Sequence, residues 1–424
     1  MSPEFYIFVF SGIRGALETF ASQTEYRGEF FFAKFWFLSF LFASDLYLSR
    51  KFKIFSPQIF FFPVAIFSIS PFVDRYFFFR EFDNGMGFQS FIRSILSFFV
   101  LSNGIPKLSL IMFFAVRAFL IVYLVFSRKF NFIVPYTFWF LISYLLWHLF
   151  HLQVLYGKLS PLFFVGFEPK TVFIISGYIY FLLLSLIYFR KWIEGFIVSE
   201  VKNLSIFYIF LIAMLGYISG EFGVLSKIVI PFTAVLGFRM VEILVWRTRE
   251  KILSHKYNLN LFEVIELSFL VSLFGASRGI FTMFLPFVVL FMFFYYVPPL
   301  ELGKGIWGAF LSSAFFFLMC IISHLSLKNS FFITSEGILV GTACAIFAFF
   351  ENLSRKFEGL RRKIFAFATS VSPLIFMHSP EDIGVALIFG IASFRFDSSA
   401  IPRIISAIYF VSKFYYLKYM QYQV

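Results

Sequence analysis

The chain has 424 residues, of which 60% are hydrophobic and only 14% are charged, and its mean hydropathy is +0.87. Soluble proteins are roughly 45–50% apolar, and a soluble core of this size has no room for 74 phenylalanines. The composition therefore argues against a soluble globular enzyme and predicts a protein embedded in a lipid bilayer.

The formal net charge of +13 comes from short basic clusters between apolar segments. Such clusters are typical of loops beside a membrane and of contact with anionic lipids, so we predict membrane lipids as partners and no nucleic acid. The two cysteines, Cys320 and Cys344, lie in apolar segments, and we interpret them as buried small hydrophobes. Residues 1–5 lack the basic start of a signal peptide, so we expect no removable signal.

Apolar runs long enough to cross a bilayer, roughly 20 residues each, recur along the whole chain. They are 30–48, 54–73, 107–127, 131–152, 171–189, 203–219, 223–246, 259–276, 279–298, 305–324 and 331–350. Segments that are shorter or carry charges are 4–22, 364–378, 381–395 and 398–418. The runs are too long and continuous for barrel strands. The predicted fold is all-α, one polytopic bundle over residues 1–424 with about 13 transmembrane helices, between about 11 and 15.

Basic residues between the apolar runs predict the orientation in the membrane. The strong clusters are 50–53, 128–129, 190–191, 247–256 and 355–363. From residue 128 to residue 363 they occupy alternate loops, which puts them all on one side of the bilayer. Because positive loops stay in the cytoplasm, we predict a multi-pass protein of the inner membrane with a cytoplasmic N-terminus.

The location of the stretch 74–106 follows from the number of membrane crossings between two basic clusters. If both 50–53 and 128–129 are cytoplasmic, only two full crossings fit between them, so 74–106 is predicted to be extracytoplasmic. Its apolar piece Phe88–Leu101 is short and contains Arg93. We interpret it as a re-entrant or interfacial helix.

Ionisable residues inside apolar segments are the best functional candidates, because each is costly to bury in a membrane. Arg239 and Glu242 are three residues apart and share a helix face, as do Glu263 and Glu266 in the next segment. We predict that these four residues, with Arg117, form an interior polar site that binds substrate or an ion. A purely structural ion-pair network is the alternative.

Arg75 and Arg80 are further binding candidates in the outer stretch, which is dense in charged and aromatic residues. Arginine binds phosphate through paired hydrogen bonds, and aromatic faces stack on sugars. A solvated loop is the alternative. The chain contains no P-loop, dinucleotide fingerprint or metal-protease motif, so we predict no metal and no cofactor and assign no catalytic residue.

Two functions fit these observations. The first is a transporter or flippase that moves a small solute or a lipid-linked substrate past the interior charges. The second is a membrane-embedded glycosyltransferase or polymerase that acts on a lipid-linked sugar at the outer face. We favour the first, because intramembrane charges outnumber plausible catalytic residues in the loops.

Overall fold

The structure, a computed structural model, describes twelve stretches of the chain: 3–21, 27–51, 118–139, 141–142, 169–203, 224–254, 261–276, 279–297, 305–328, 334–375, 379–396 and 399–421. The regular structure of these residues is helical throughout, and none of them forms a strand. The all-α prediction is therefore confirmed for this part of the chain. The predicted segment 54–73, the outer stretch 74–106 and all but the first residue of the predicted segment 203–219 lie outside the described residues.

Most of the helices follow the predicted apolar segments, but Arg190–Asn203 is helical although no apolar segment is predicted between 189 and 203. The helices are α1 (Pro3–Ala21), α2 (Arg27–Lys51), α3 (Pro169–Tyr188), α4 (Arg190–Asn203), α5 (Val224–Ser254), α6 (Leu261–Ala276), α7 (Gly279–Tyr296), α8 (Gly305–Lys328), α9 (Ser335–Lys356), α10 (Gly359–Val371), α11 (Pro380–Arg395) and α12 (Ile401–Gln421). Residues 118–126 and 133–139 are also helical, and 3₁₀ turns occupy Phe130–Phe132 and Ser372–Ile375.

Helix α5 continues past residue 246, where its predicted segment ends. The reason is local, because the Trp246 indole donates a hydrogen bond to Glu250 at 3.0 Å and the Arg249 guanidinium lies 5.0 Å from the Trp246 ring centre. Pairs three and four residues apart stabilise a helix outside an apolar environment. Hydropathy therefore located the apolar part of α5 and missed its polar extension.

Three of the described helices are long and apolar enough to cross a membrane: Arg27–Leu48 in α2, Thr171–Tyr188 in α3 and Gly337–Lys356 in α9. Ile306–Ile321 in α8 is a shorter apolar helix. Three candidate spans are fewer than the predicted total of about 13, and that total remains a prediction.

The chain divides into two compact units, and each is described by itself. Unit 1 comprises Met1–Glu194 and Asn260–Ala276. Its central helix is α2, which packs against α1, α3 and α6. The Trp36 side chain is fully buried there, with its ring centre 4.7 Å from that of Phe181, and its indole donates a hydrogen bond to Ser272 at 3.0 Å.

Unit 2 comprises Gly195–Leu259 and Ser277–Val424. From α7 to α12 each helix packs against the next in sequence, and α5 packs against α7. Cys320 of α8 and Cys344 of α9 are both buried in one apolar cluster with Phe347 and Val411. Their interpretation as buried small hydrophobes is therefore confirmed. Whether both units form one membrane domain over 1–424 remains a prediction.

The helical stretch 118–126 ends in a Schellman motif. The amide of Lys129 donates to the carbonyl of Leu124 at 2.9 Å, and the amide of Arg128 donates to the carbonyl of Val125 at 3.0 Å. Arg128 has a φ of 54°, a left-handed conformation that glycine usually supplies at this position. The side chain is exposed, so the turn strains the backbone without a buried contact in return.

Replacing Arg128 by glycine is therefore expected to raise the free energy of unfolding by about 1 kcal/mol, because the left-handed conformation then costs no side-chain clash. The matched control is Lys129→Gly. Lys129 has an ordinary φ of −95°, so glycine there is expected to lower stability by about 0.5–1 kcal/mol. Equilibrium denaturation in mixed micelles measures both, and equal losses in the two variants would contradict the strain argument.

Candidate functional site

Arg14, Glu18 and Lys34 form a buried charged group between α1 and α2, called the α1–α2 triad below. The Arg14 Nε atom lies 2.6 Å from Glu18 Oε1, and the Lys34 Nζ atom lies 2.5 Å from Glu18 Oε2. Relative exposures are 1% for Arg14, 7% for Glu18 and 0% for Lys34. One carboxylate therefore meets two cations, one from its own helix and one from the neighbouring helix.

The spacing of polar residues on α1 puts the α1 members of the triad on one buried helix face. Ser11, Arg14 and Glu18 are three and four residues apart, so they share one helix face, and all three are buried. Gly15 on the same part of α1 lies beside α2, since a Cβ atom there would be in ordinary van der Waals contact with the backbone nitrogen of Phe35, 3.7 Å away. The packing of α1 on α2 at this level brings Glu18 within reach of Lys34.

The surroundings of the triad make its charges interdependent. The Lys34 ammonium lies 5.6 Å from the centre of the Phe37 ring, and Phe37 is itself fully buried. Taking an ion out of water into such surroundings costs several kcal/mol. The pairing with Glu18 offsets this cost, so removing the carboxylate leaves two buried cations close together.

Two of the predicted site residues, Glu263 and Glu266, lie on α6 in unit 1. Both are buried, with exposures of 6% and 1%. The Trp192 indole donates a hydrogen bond to Glu266 Oε1 at 2.8 Å. Glu266 is thus tied to the start of α4 by a neutral donor.

The other predicted pair, Arg239 and Glu242, lies on α5 in unit 2. The Arg239 guanidinium forms an ion pair with Glu242, and the Tyr296 hydroxyl of α7 donates to the other oxygen of Glu242 at 2.5 Å. Their side chains are 16% and 23% exposed. The three-residue spacing does bring the two charges together, as it predicted.

The predicted single cluster of Arg239, Glu242, Glu263 and Glu266 remains a prediction, because one pair belongs to each unit. The remaining predicted site residues lie outside the described residues: Arg75, Arg80 and Arg117.

Sequence reasoning missed two further charged groups in unit 2. In the first, Glu351 of α9 pairs with Arg355 at 3.0 Å and with the buried Arg403 of α12 at 2.8 Å. The Arg355 side chain is 45% exposed, so this group reaches the protein surface. The sequence shows that Arg403 interrupts the apolar segment 398–418, but it does not indicate that Glu351 is its partner.

In the second group, Lys413 of α12 pairs with Asp382 at the start of α11. The Ser379 hydroxyl donates to Asp382 at 2.5 Å and accepts a hydrogen bond from the Asp382 amide at 3.2 Å. Tyr409 donates to the same carboxylate at 3.2 Å. Ser379 is the N-cap of α11, and a serine hydroxyl that accepts from a backbone amide of the first turn stabilises a helix start.

The triad is the most enclosed of these groups. Its signals in the sequence were Lys34 within the apolar run 30–48 and the spacing of Arg14 and Glu18 in segment 4–22.

Comparison with protein-family models, curated proteins and solved structures finds no match for this chain.

Proposed function

We propose that this protein is a multi-pass transporter or flippase of the inner membrane, with about 13 spans and a cytoplasmic N-terminus, that moves a small solute or a lipid-linked substrate. The α1–α2 triad carries the proposal. Charges are rare inside membrane segments and mark pathways for substrates, ions or protons when they face the interior of a bundle. Lys34 lies in α2, within the candidate span Arg27–Leu48, and is fully buried.

The exposed surface of α3 supports the membrane location. Ile179, Leu182, Leu183 and Leu186 are all more than a third exposed. Their spacing of three and four residues puts them on one helix face. A continuous apolar stripe on a helix long enough to span is suited to contact with lipid tails.

A test of the proposal needs no knowledge of the substrate. A transport pathway must open to each side of the membrane in turn, so a cysteine beside the triad must become reachable from both sides. Ser11 is fully buried and lies on the same face of α1 as Arg14. Cys320 and Cys344, the two native cysteines, are replaced by alanine first.

Ser11→Cys in this background is expected to react with an impermeant thiol reagent from either side of a reconstituted vesicle. Ile265→Cys is the matched control, because Ile265 is equally buried in unit 1 but apolar, and it is expected to stay unlabelled. Labelling of Ser11→Cys from the outer side alone would instead support the glycosyltransferase alternative. Absence of labelling from both sides would mean that the triad is structural, and the proposal would fail.

A further inference from the structure

We infer that the transported substrate carries an oxyanion, a carboxylate or a phosphate, and that Glu18 is a resident anion that occupies its place between Arg14 and Lys34. This inference rests on the proposed function and names the chemical class of its substrate.

The geometry of the triad is that of an anion site already filled. Each oxygen of the Glu18 carboxylate lies within 2.6 Å of one cationic nitrogen, and the two nitrogens come from different helices. Guanidinium and ammonium groups bind carboxylate and phosphate oxygens with the same short charge-assisted hydrogen bonds. A substrate with two oxygens on one carbon or phosphorus atom therefore suits the same two donors.

Exchange of one anion for another keeps one negative charge between the two cations. Taking that charge away from buried cations is strongly unfavourable, so Glu18 leaves only as another anion arrives. With no substrate bound, Glu18 pairs with both cations, which leaves the group one net positive charge, and the two helices close on each other. A carrier built in this way is able to return empty across the membrane.

The other charged groups described above each lack one of these features. Arg239–Glu242 and Lys413–Asp382 each pair one cation with one carboxylate, and both include a side chain that is 16% or more exposed. Glu351 also meets two arginines, but Arg355 is 45% exposed. Water compensates that arginine when Glu351 is lost, which makes Glu351→Gln a matched control for Glu18→Gln.

The test is the rescue of a missing anion in purified full-length protein. Glu18→Gln removes only the charge of the resident anion. In sodium chloride its melting temperature is expected to fall several degrees below that of the unchanged protein. Inorganic pyrophosphate or succinate, added at matched ionic strength, is expected to restore that temperature saturably, and the anion that does so distinguishes a phosphate from a carboxylate substrate.

The same anions are expected to raise the melting temperatures of the unchanged protein and of Glu351→Gln less, and only at higher concentration, because Glu18 competes with them for the two cations. If all three proteins respond alike, the inference is wrong. If Glu18→Gln does not fold, Glu18→Asp keeps the charge but draws the carboxylate back by one methylene. A saturable response of that variant supports the inference, and a response like that of Glu351→Gln overturns it.

Failure of the inference and failure of the proposed function have different signatures. Ser11→Cys labelled from both sides, together with no anion rescue, indicates a transporter whose substrate is not an oxyanion. Ser11→Cys unlabelled from both sides removes the transport function itself, whatever the melting temperatures show.

Discussion

Replacing Glu18 by leucine is expected to lower the free energy of unfolding by about 3–5 kcal/mol, the cost of breaking a buried ion pair by deleting one partner. The carboxylate is 7% exposed, and its two partners, Arg14 and Lys34, are 1% and 0% exposed. Without Glu18 these cations repel each other in apolar surroundings. The loss is measured by equilibrium denaturation of the full-length protein in mixed micelles.

The decisive control removes all three charges together. The triple variant Arg14→Met, Glu18→Leu, Lys34→Met fills the same space with apolar side chains of similar length. Replacing a buried charged group by hydrophobic residues is often neutral or stabilising, so most of the lost stability is expected to return. The three changes are therefore strongly non-additive, as expected for residues in direct contact.

This comparison separates two reasons for keeping charges at a buried site. If the triple variant is as stable as the unchanged protein, stability does not explain the presence of Arg14, Glu18 and Lys34. Function then does, and Ser11→Cys in the triple variant is expected to lose its labelling from both sides. If the triple variant is less stable than Glu18→Leu, the triad is an indispensable structural element and the proposed function loses its main support.

The positions of the apolar helices were predictable because the signal is local, whereas α4, which is rich in charged residues, was not predicted. A run of about 20 apolar residues is long enough to define a span without knowledge of its neighbours. The ends of α5 and α9 were less predictable, because hydropathy does not register a helix that continues through Arg249 or Arg355. The pairing of Arg239 with Glu242 was predictable for the same local reason, since two helical residues three positions apart lie on the same face.

Contacts between distant helices were not predictable from the sequence. Whether Glu18 meets Lys34 depends on how α1 is rotated about its axis and on how closely α1 packs against α2. Likewise, the Trp192 donor of Glu266 comes from another helix, and apolar spacing contains no information about it. A candidate site built from one chain's spacing alone therefore recovers pairs within a helix and misses groups between helices.

Gly177 gives the second large expected effect, because α3 packs tightly against α2 at this residue. A Cβ atom on Gly177 would overlap the ring of Phe32 and would lie 3.4 Å from the Cα atom of Ala33. Phe32 is fully buried, with its ring centre 5.2 Å from that of Tyr178, so the ring has no open space to enter. Gly177→Ala is expected to cost about 3 kcal/mol through overpacking.

Gly195→Ala is the matched control for the change in helix propensity. A Cβ atom there meets nothing within 4 Å, and alanine in an exposed helix is expected to add about 1 kcal/mol of stability. If the free energy of unfolding falls in Gly177→Ala and rises in Gly195→Ala, the contact with Phe32, and not backbone entropy, determines the effect at Gly177.

The cause of the Gly177 effect is tested in a Phe32→Ala background. Phe32→Ala alone leaves a cavity and is expected to cost about 3–5 kcal/mol. The cavity lies where the new methyl group of Gly177→Ala would sit, so the second change is expected to become neutral or slightly stabilising there. If Gly177→Ala lowers the free energy of unfolding as much with Phe32 absent as with Phe32 present, the Phe32 ring is not the obstacle. The contact between Gly177 and Phe32 then does not explain the cost of the added methyl group.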